Sequence, residues 1–350
     1  MNFQASVSDT SLFIKQDDGD IVILLLYVDD IILTGSNSIK IQKMIDKLSE
    51  VFDLKDMGQL TFFLGLQISY KNNGDIFVHQ SKYIKDVIHK AGMDTCKPAA
   101  TPCKPHDQML FSDGSLMSDP SLYRSIVGSL QYLTFTRPDI AYAVNTVCQF
   151  MSSPTERHYA AVKRILRYLH GTLHHGILYS ADQMTTRTIT AFSDADWAAD
   201  LNTRRSITGY VVYLGNNPVS WQSKKQCSVS RSSTEAEYKA LAHTAADVAW
   251  IRGILKDLEV CLPSPPIIHC DNMSAIALTA NPVFHSRIKH LDTDFHFVRE
   301  RVQQGDLKVV YIPTEDQIAD VLTKGLHSPA FLRHCYNLRL STPATIEGEC

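Results

Sequence analysis

A chain of 350 residues with 44% apolar side chains, 20% charged side chains and a net charge of −3 has the composition of an ordinary soluble protein of two or three domains. No apolar run approaches the roughly 20 residues of a membrane span, and the N-terminus lacks the basic and apolar regions of a secretory signal. The eight cysteines form no CxxC pair, which argues against a disulfide framework or a zinc knuckle and predicts an intracellular setting, cytoplasmic or nuclear.

In chain order, Ser11 to Lys15, Ile21 to Tyr27 and Ile31 to Thr34 read as strands, the last two forming a hairpin with Asp29-Asp30 at its tip. Ile41, Ile45, Leu48 and Phe52 recur at helical spacing, and Leu60 to Tyr70 is a further strand region broken by Gly65. Ala91 to Pro120 carries Pro98, Pro102, Pro105, Gly114 and Pro120 among polar residues and reads as a linker. Three amphipathic helices follow, with stripes from Leu122 to Leu133, from Ile140 to Met151 and from Val162 to Leu169. Ser121 to Ser180 holds six Lys/Arg against two Asp/Glu. Lys163, Arg164 and Arg167 on the third helix are therefore candidates to meet phosphates, with a solvated helix face as the ordinary alternative.

From Thr186 the periodicity changes. Thr188 to Ser193, Ile207 to Leu214 and Val219 to Ser223 read as an antiparallel meander, with Gly215-Asn216-Asn217-Pro218 as one turn. A long helix is predicted over Ser233 to Leu258, a buried strand over Ile267 to Cys270 and a short helix near Ser274 to Ala280. A helix with stripe Leu291, Phe295, Val298 and Val302 ends at Gly305; a strand over Leu307 to Ile312 and a helix over Glu315 to Lys324 close the series.

Four carboxylates stand where these elements begin or end. Asp194 and Asp271 each follow an apolar strand, and in α/β sheets ligands bind beyond strand ends. Glu237 shares a helical stripe with Leu241, Ala245 and Val248, whereas Glu235 lies about 200° away at roughly 100° per residue. Asp320 lies in the last helix behind a capping box of Thr314 and Gln317. Hydrolysis of a phosphodiester needs an activated water and a stabilised leaving oxygen, which two hard divalent ions held by such oxygens supply. Singly, each acid has an ordinary explanation: helix N-cap, turn residue, dipole partner or solvated side chain. Their order on strand, helix, strand and helix is the informative feature.

The stretches Phe192-Ser193-Asp194-Ala195-Asp196-Trp197-Ala198, Arg204-Arg205-Ser206-Ile207-Thr208-Gly209, Ser230-Arg231-Ser232-Ser233-Thr234-Glu235-Ala236-Glu237-Tyr238 and Ala319-Asp320-Val321-Leu322-Thr323-Lys324 resemble the ribonuclease H domain of copia-type LTR retrotransposon polyproteins. Tyr27-Val28-Asp29-Asp30 resembles the metal-holding hairpin of their reverse transcriptase. Phe63-Leu64-Gly65-Leu66 resembles the segment that grips the primer end, and the basic helices resemble the thumb.

The resemblance implies an α/β fold: a ribonuclease H-like mixed five-stranded sheet with flanking helices, preceded by a partial palm and a helical thumb-like bundle. It divides the chain into a partial palm (1–90), a linker (91–120), a thumb-like or connection region (121–180), a ribonuclease H domain (186–326) and a C-terminal tail (327–350). It implies cleavage of the RNA strand of RNA–DNA hybrids by Asp194, Glu237, Asp271 and Asp320 with two Mg²⁺ ions, Mn²⁺ being able to substitute. RNA–DNA hybrid is the expected partner, with duplex DNA or RNA beside it and no membrane. Asp29 and Asp30 are read as a polymerase remnant: the third palm carboxylate and the fingers have no matching motif, so polymerisation by this chain alone is not expected. Many ribonucleases H carry a His before the last helix. Tyr311-Ile312-Pro313-Thr314-Glu315-Asp316 has none, which predicts slower turnover, and His285, His290 and His296 are not expected to replace it. A non-catalytic nucleic-acid-binding relic is the alternative reading.

Overall fold

A computed structural model of the chain describes residues 2–182, 187–280 and 292–342. The boundary at Thr186, the stripe residue Leu291, His285, His290 and the end of the tail (343–350) lie outside the described residues.

The first sheet has the order β1 (Gln4–Ala5), β2 (Leu12–Asp17), β3 (Asp20–Tyr27), β4 (Asp30–Gly35), all antiparallel. Val28 adopts φ 52° at the β3–β4 turn, so Tyr27 faces Asp30 across a two-residue tip. Helix α1 (Ser38–Ser49) packs Met44 and Leu48 on Leu24. Asn37 caps it, its side chain accepting from the backbone N–H of Ile39.

The Leu60–Tyr70 region is a hairpin, β5 (Phe62–Phe63) and β6 (Leu66–Tyr70), turning through Leu64 and Gly65 at φ 47° and 77°. Next come β7 (Ile76–His79), α2 (Ser81–Lys90), α3 (Pro120–Leu133), α4 (Ala141–Cys148), α5 (Glu156–Gly171) and β8 (Gly176–Tyr179).

The third sheet is built by β9 (Ile189–Asp196), β10 (Ile207–Leu214), β11 (Asn217–Lys225), β12 (Ile267–Cys270) and β13 (Lys308–Tyr311). Its helices are α6 (Ser233–Asp257), α7 (Met273–Ala280) and α8 (Asp292–Gln303). The strand order is β11-β10-β9-β12-β13, with β9, β10 and β11 antiparallel and β12 parallel to both β9 and β13. This is the mixed ribonuclease H-like sheet. The predicted turn is tighter than its sequence suggested: Pro218 lies in β11 beside a register shift at Val212/Tyr213, where a missing N–H is tolerated.

Two elements replace the expected tail. Helix α9 (Ser328–Asn337) buries Phe331, Cys335 and, just beyond it, Leu338, and β14 (Leu340–Ser341) pairs with β8. The second sheet therefore runs β14-β8-β7-β6-β5 and joins segments far apart in sequence.

Every residue of β10 is buried. Tyr210 and Val212 face the core that holds Leu241 and Val248 of α6, while Val211 and Tyr213 face the core of α2 to α5. This period-two alternation makes one strand the shared wall of both cores. The proline-rich 91–120 segment also enters the second core, through Met109 and Met117. Among the described residues no helix is long and apolar enough to cross a membrane.

Candidate metal centre

The four acids predicted from sequence come from separate elements and converge near the C-terminal ends of β9 and β12, in the middle of the third sheet. Asp194 lies in β9, Glu237 in the first turns of α6, and Asp271 immediately after β12. Asp320 lies on a short 3₁₀ turn, Ile318–Leu322. Asp194, Glu237 and Asp320 are buried, and Asp271 is half-buried.

Asp194 is their common neighbour. Burial, then the charge of Asp194, then that of Asp271, pushes the Glu237 carboxyl up to about 10. Burial and Asp194 together push Asp320 up to about 7 against the opposing pull of Lys324, and the same two causes raise Asp271. Asp194 lies close enough to both Glu237 and Asp320 for its charge to raise each carboxyl. Oxygens of Glu237 and Asp271 lie within 4.8 Å of each other and of the Cys270 sulfur.

Lys324 supplies the cluster's cation. Its Nζ is 2.9 Å from Asp320 Oδ1 and 3.9 Å from Asp194 Oδ2. Burial alone would lower its pKa, but Asp194 and Asp320 hold it above its usual range. Thr323 donates to Asp194 Oδ2, and Thr314 donates to Asp271 Oδ2 at 2.9 Å. Sequence reading missed Lys324 and both threonines. The i,i+4 spacing of Asp320 and Lys324 was the available signal for the lysine.

The last predicted helix is corrected. Residues 314–316 and 318–322 form two short 3₁₀ turns, separated at Gln317 by extended backbone (φ −70°, ψ 99°). The buried Gln317 side chain donates to Ser193 O at 3.0 Å and accepts from Ala319 N, so no capping box with Thr314 forms. That bond to β9 interrupts the helix and brings Asp320 inward beside Asp194.

The 318–322 turn can lie this close because β10 presents Gly209, the register partner of Asp194. A Cβ there would meet Thr323 Cγ2 at 2.6 Å and Leu322 Cβ at 2.8 Å. Gly209→Ala is expected to displace Asp320 and Thr323 and to cost about 1–3 kcal/mol by overpacking. Denaturant midpoints would measure the stability loss, and a midpoint within error of the parent would contradict this packing.

Helical phase chose between Glu237 and Glu235, yet both are buried. Glu235 is satisfied differently, by Lys239 Nζ at 2.9 Å and the backbone N–H of Arg231 at 3.0 Å. The expected basic helix face is also differently placed. Arg164 donates to Thr101 Oγ1 at 2.8 Å and Arg167 to Lys97 O at 2.7 Å, so both tie α5 to the 91–120 segment. Lys163 is exposed, its ammonium 4.6 Å from the Tyr159 ring centre. Asp29 and Asp30 are exposed on the β3–β4 hairpin of the first sheet. His296 lies on α8 and is not among the residues of the cluster.

The donor set fits hard divalent cations. Oxygen ligands predominate, burial and then mutual repulsion raise Glu237 and Asp320, and among the described residues Lys324 pairs with Asp320 and Asp194. Among the described residues Cys270 is the soft donor of the cluster, its thiol pushed up by burial and by Glu237.

The third sheet has the strand order of a ribonuclease H-like fold, with the acidic pocket at the ends of its central strands. Residues 1–105 match the reverse transcriptase (RNA-dependent DNA polymerase) family. The chain is 49% identical over 331 residues to the retrovirus-related Pol polyprotein from transposon RE1 of Arabidopsis thaliana, covering 95% of this chain and 22% of that protein. It is 32% identical over 238 residues to a transposon Ty5-1 protein of Saccharomyces cerevisiae, covering 67% of this chain and 76% of that protein. The chain belongs to the copia-type retrovirus-related transposon Pol polyproteins, and it spans about a fifth of the length of the RE1 polyprotein. Among solved structures, LC11-RNase H1 aligns with 39% of this chain and 93% of its own at 21% identity and a TM-score of 0.30.

Proposed function

We propose that this chain cuts the RNA strand of RNA–DNA hybrids, with Asp194, Glu237, Asp271 and Asp320 holding two Mg²⁺ ions. The observation that carries the reading is the convergence of Glu237, Asp271 and Asp320 on Asp194 from helix, strand and turn. Asp194 would be shared between the ions, Glu237 and Asp271 would serve the one nearer the leaving group, and Asp320 the other. Ions held there would activate a water and stabilise the leaving oxygen. Thr323 and Thr314 fix the orientation of Asp194 and Asp271, and Lys324 keeps positive charge beside Asp320. Hybrid recognition would run through phosphates and sugar hydroxyls, giving weak sequence preference.

The test is incubation of purified chain with a labelled RNA–DNA hybrid. Magnesium-dependent shortening of the RNA strand, stopped by EDTA, is expected; intact RNA in magnesium would reject the reading.

The raised acids also predict a pH effect. Between their unfolded values of 4.5 and 3.8 and their folded values of about 10 and about 7, Glu237 and Asp320 bind more protons folded than unfolded. Their contribution to stability is therefore lost as pH rises through that window. Without divalent ions, melting temperature should fall from pH 5 to pH 8 relative to a Glu237→Gln/Asp320→Asn chain, and magnesium should reduce the fall. Identical pH profiles for parent and variant would refute this.

A further inference from the structure

The 91–120 segment, read from sequence as a linker, is strapped across the molecule. Its first half follows α5: His170 Nε2 lies 3.0 Å from Asp94 O, and the Ala99 N–H donates to Arg167 O at 3.2 Å. Its second half reaches the ribonuclease H-like sheet. Asn202, in the β9–β10 loop, donates to Met109 O at 3.0 Å and accepts from the Phe111 N–H at 2.9 Å. Between these anchors the strap crosses the residues that follow Lys324. Gly325 is in such close contact that a Cβ would lie 2.5 Å from Lys104 O.

This path carries His106 to the rim of the acidic pocket. The residue is exposed and held at φ 54°, a left-handed conformation uncommon for side chains other than Gly, Asn, Asp and His. Its ring is 6.5 Å from that of His327, also exposed, which lies three residues beyond Lys324. Two residues before His106, Lys104 O lies against Gly325, the neighbour of Lys324. At this rim the exposed imidazoles can donate N–H groups, whereas Lys324 is already committed to Asp320 and Asp194.

We propose that His106 from the strap and His327 from the sheet domain together grip a backbone phosphate of the hybrid beside the acidic pocket, so that residues 103–107 form one wall of the substrate cleft. The inference rests on the reading above for its substrate class, and it makes His106 and His327 positioning residues.

The test is hybrid binding by fluorescence anisotropy in EDTA, where cleavage plays no part. His106→Ala/His327→Ala should bind the hybrid about tenfold more weakly than the parent, as loss of a hydrogen bond to a charged group implies. His89→Ala, remote on α2, should bind as the parent does. Equal binding by parent and double variant would overturn the proposal whatever the cleavage assay shows. Weaker binding by the variant of a parent that never cleaves would uphold the cleft wall and reject the nuclease. Hydrogen exchange of the parent chain is the second readout and needs no variant. Hybrid should slow exchange in both 101–110 and 324–328, and protection confined to the sheet domain would also overturn the proposal.

Discussion

Asp194→Asn is expected to abolish hybrid cleavage while leaving hybrid binding in EDTA within a few-fold of the parent. Replacing a residue that only supports a metal ligand typically costs about 10–100-fold. Asp194 is the neighbour shared by Glu237, Asp271 and Asp320, so its loss should exceed about a hundredfold. The substitution keeps the side chain's shape and its acceptor for Thr323 but removes one negative charge. Without that charge, burial still raises Glu237, but a major repulsive contribution disappears and its carboxyl should titrate lower. Isotope-edited infrared titration of the carboxyl band would follow that shift. Full cleavage by the Asn variant, or an unmoved Glu237, would remove Asp194 from the centre of the site.

Part of the pocket was legible because Asp194, Glu237 and Asp271 sit near element ends that sequence patterning can find. Apolar strands end near Asp194 and Asp271, and helical phase aligns Glu237 with Leu241. What sequence did not disclose depends on contacts distant in the chain. Gln317 is a good capping residue by local rules, yet its bond to Ser193 O breaks the helix it was expected to start. Gly209 reads as a weak point in a strand until the 318–322 turn is seen lying on it. Strands β7, β8 and β14 are short, and their pairing spans the chain: Phe77 faces Leu178, and Leu340 faces Ile177. Lys163, Arg164 and Arg167 all lie on α5, as the sequence pattern implied. Nothing local showed that Arg164 and Arg167 would be used by the protein's own strap.

The same reasoning singles out Arg137 as the residue whose loss should damage the fold most. Its side chain is fully buried and forms a two-bond fork with Asp139, Nε to Oδ1 at 3.0 Å and Nη2 to Oδ2 at 2.7 Å. It also donates to Thr172 O at 2.9 Å and Thr172 Oγ1 at 2.7 Å, while Tyr168 OH donates to Asp139 Oδ2 at 2.5 Å. Burial pushes Asp139 upward, but the charge and hydrogen bonds of Arg137 outweigh it and hold the carboxyl below its ordinary range. Tyr168 in turn meets the ring of Phe331 on α9 edge-on at 5.6 Å, tying the helical region to the end of the sheet domain. Arg137→Ala strands the Asp139 charge in the core and should cost about 3–5 kcal/mol, a large share of the roughly 5–15 kcal/mol that holds a domain folded. Arg137→Lys keeps the charge but loses the planar fork and should recover only part of the loss. Arg137→Met/Asp139→Leu removes both charges and should be more stable than Arg137→Ala, because no ion is then left unpaired. Urea midpoints for the three chains decide the matter: a double variant no more stable than Arg137→Ala would mean that packing, and not the buried charge, governs this junction.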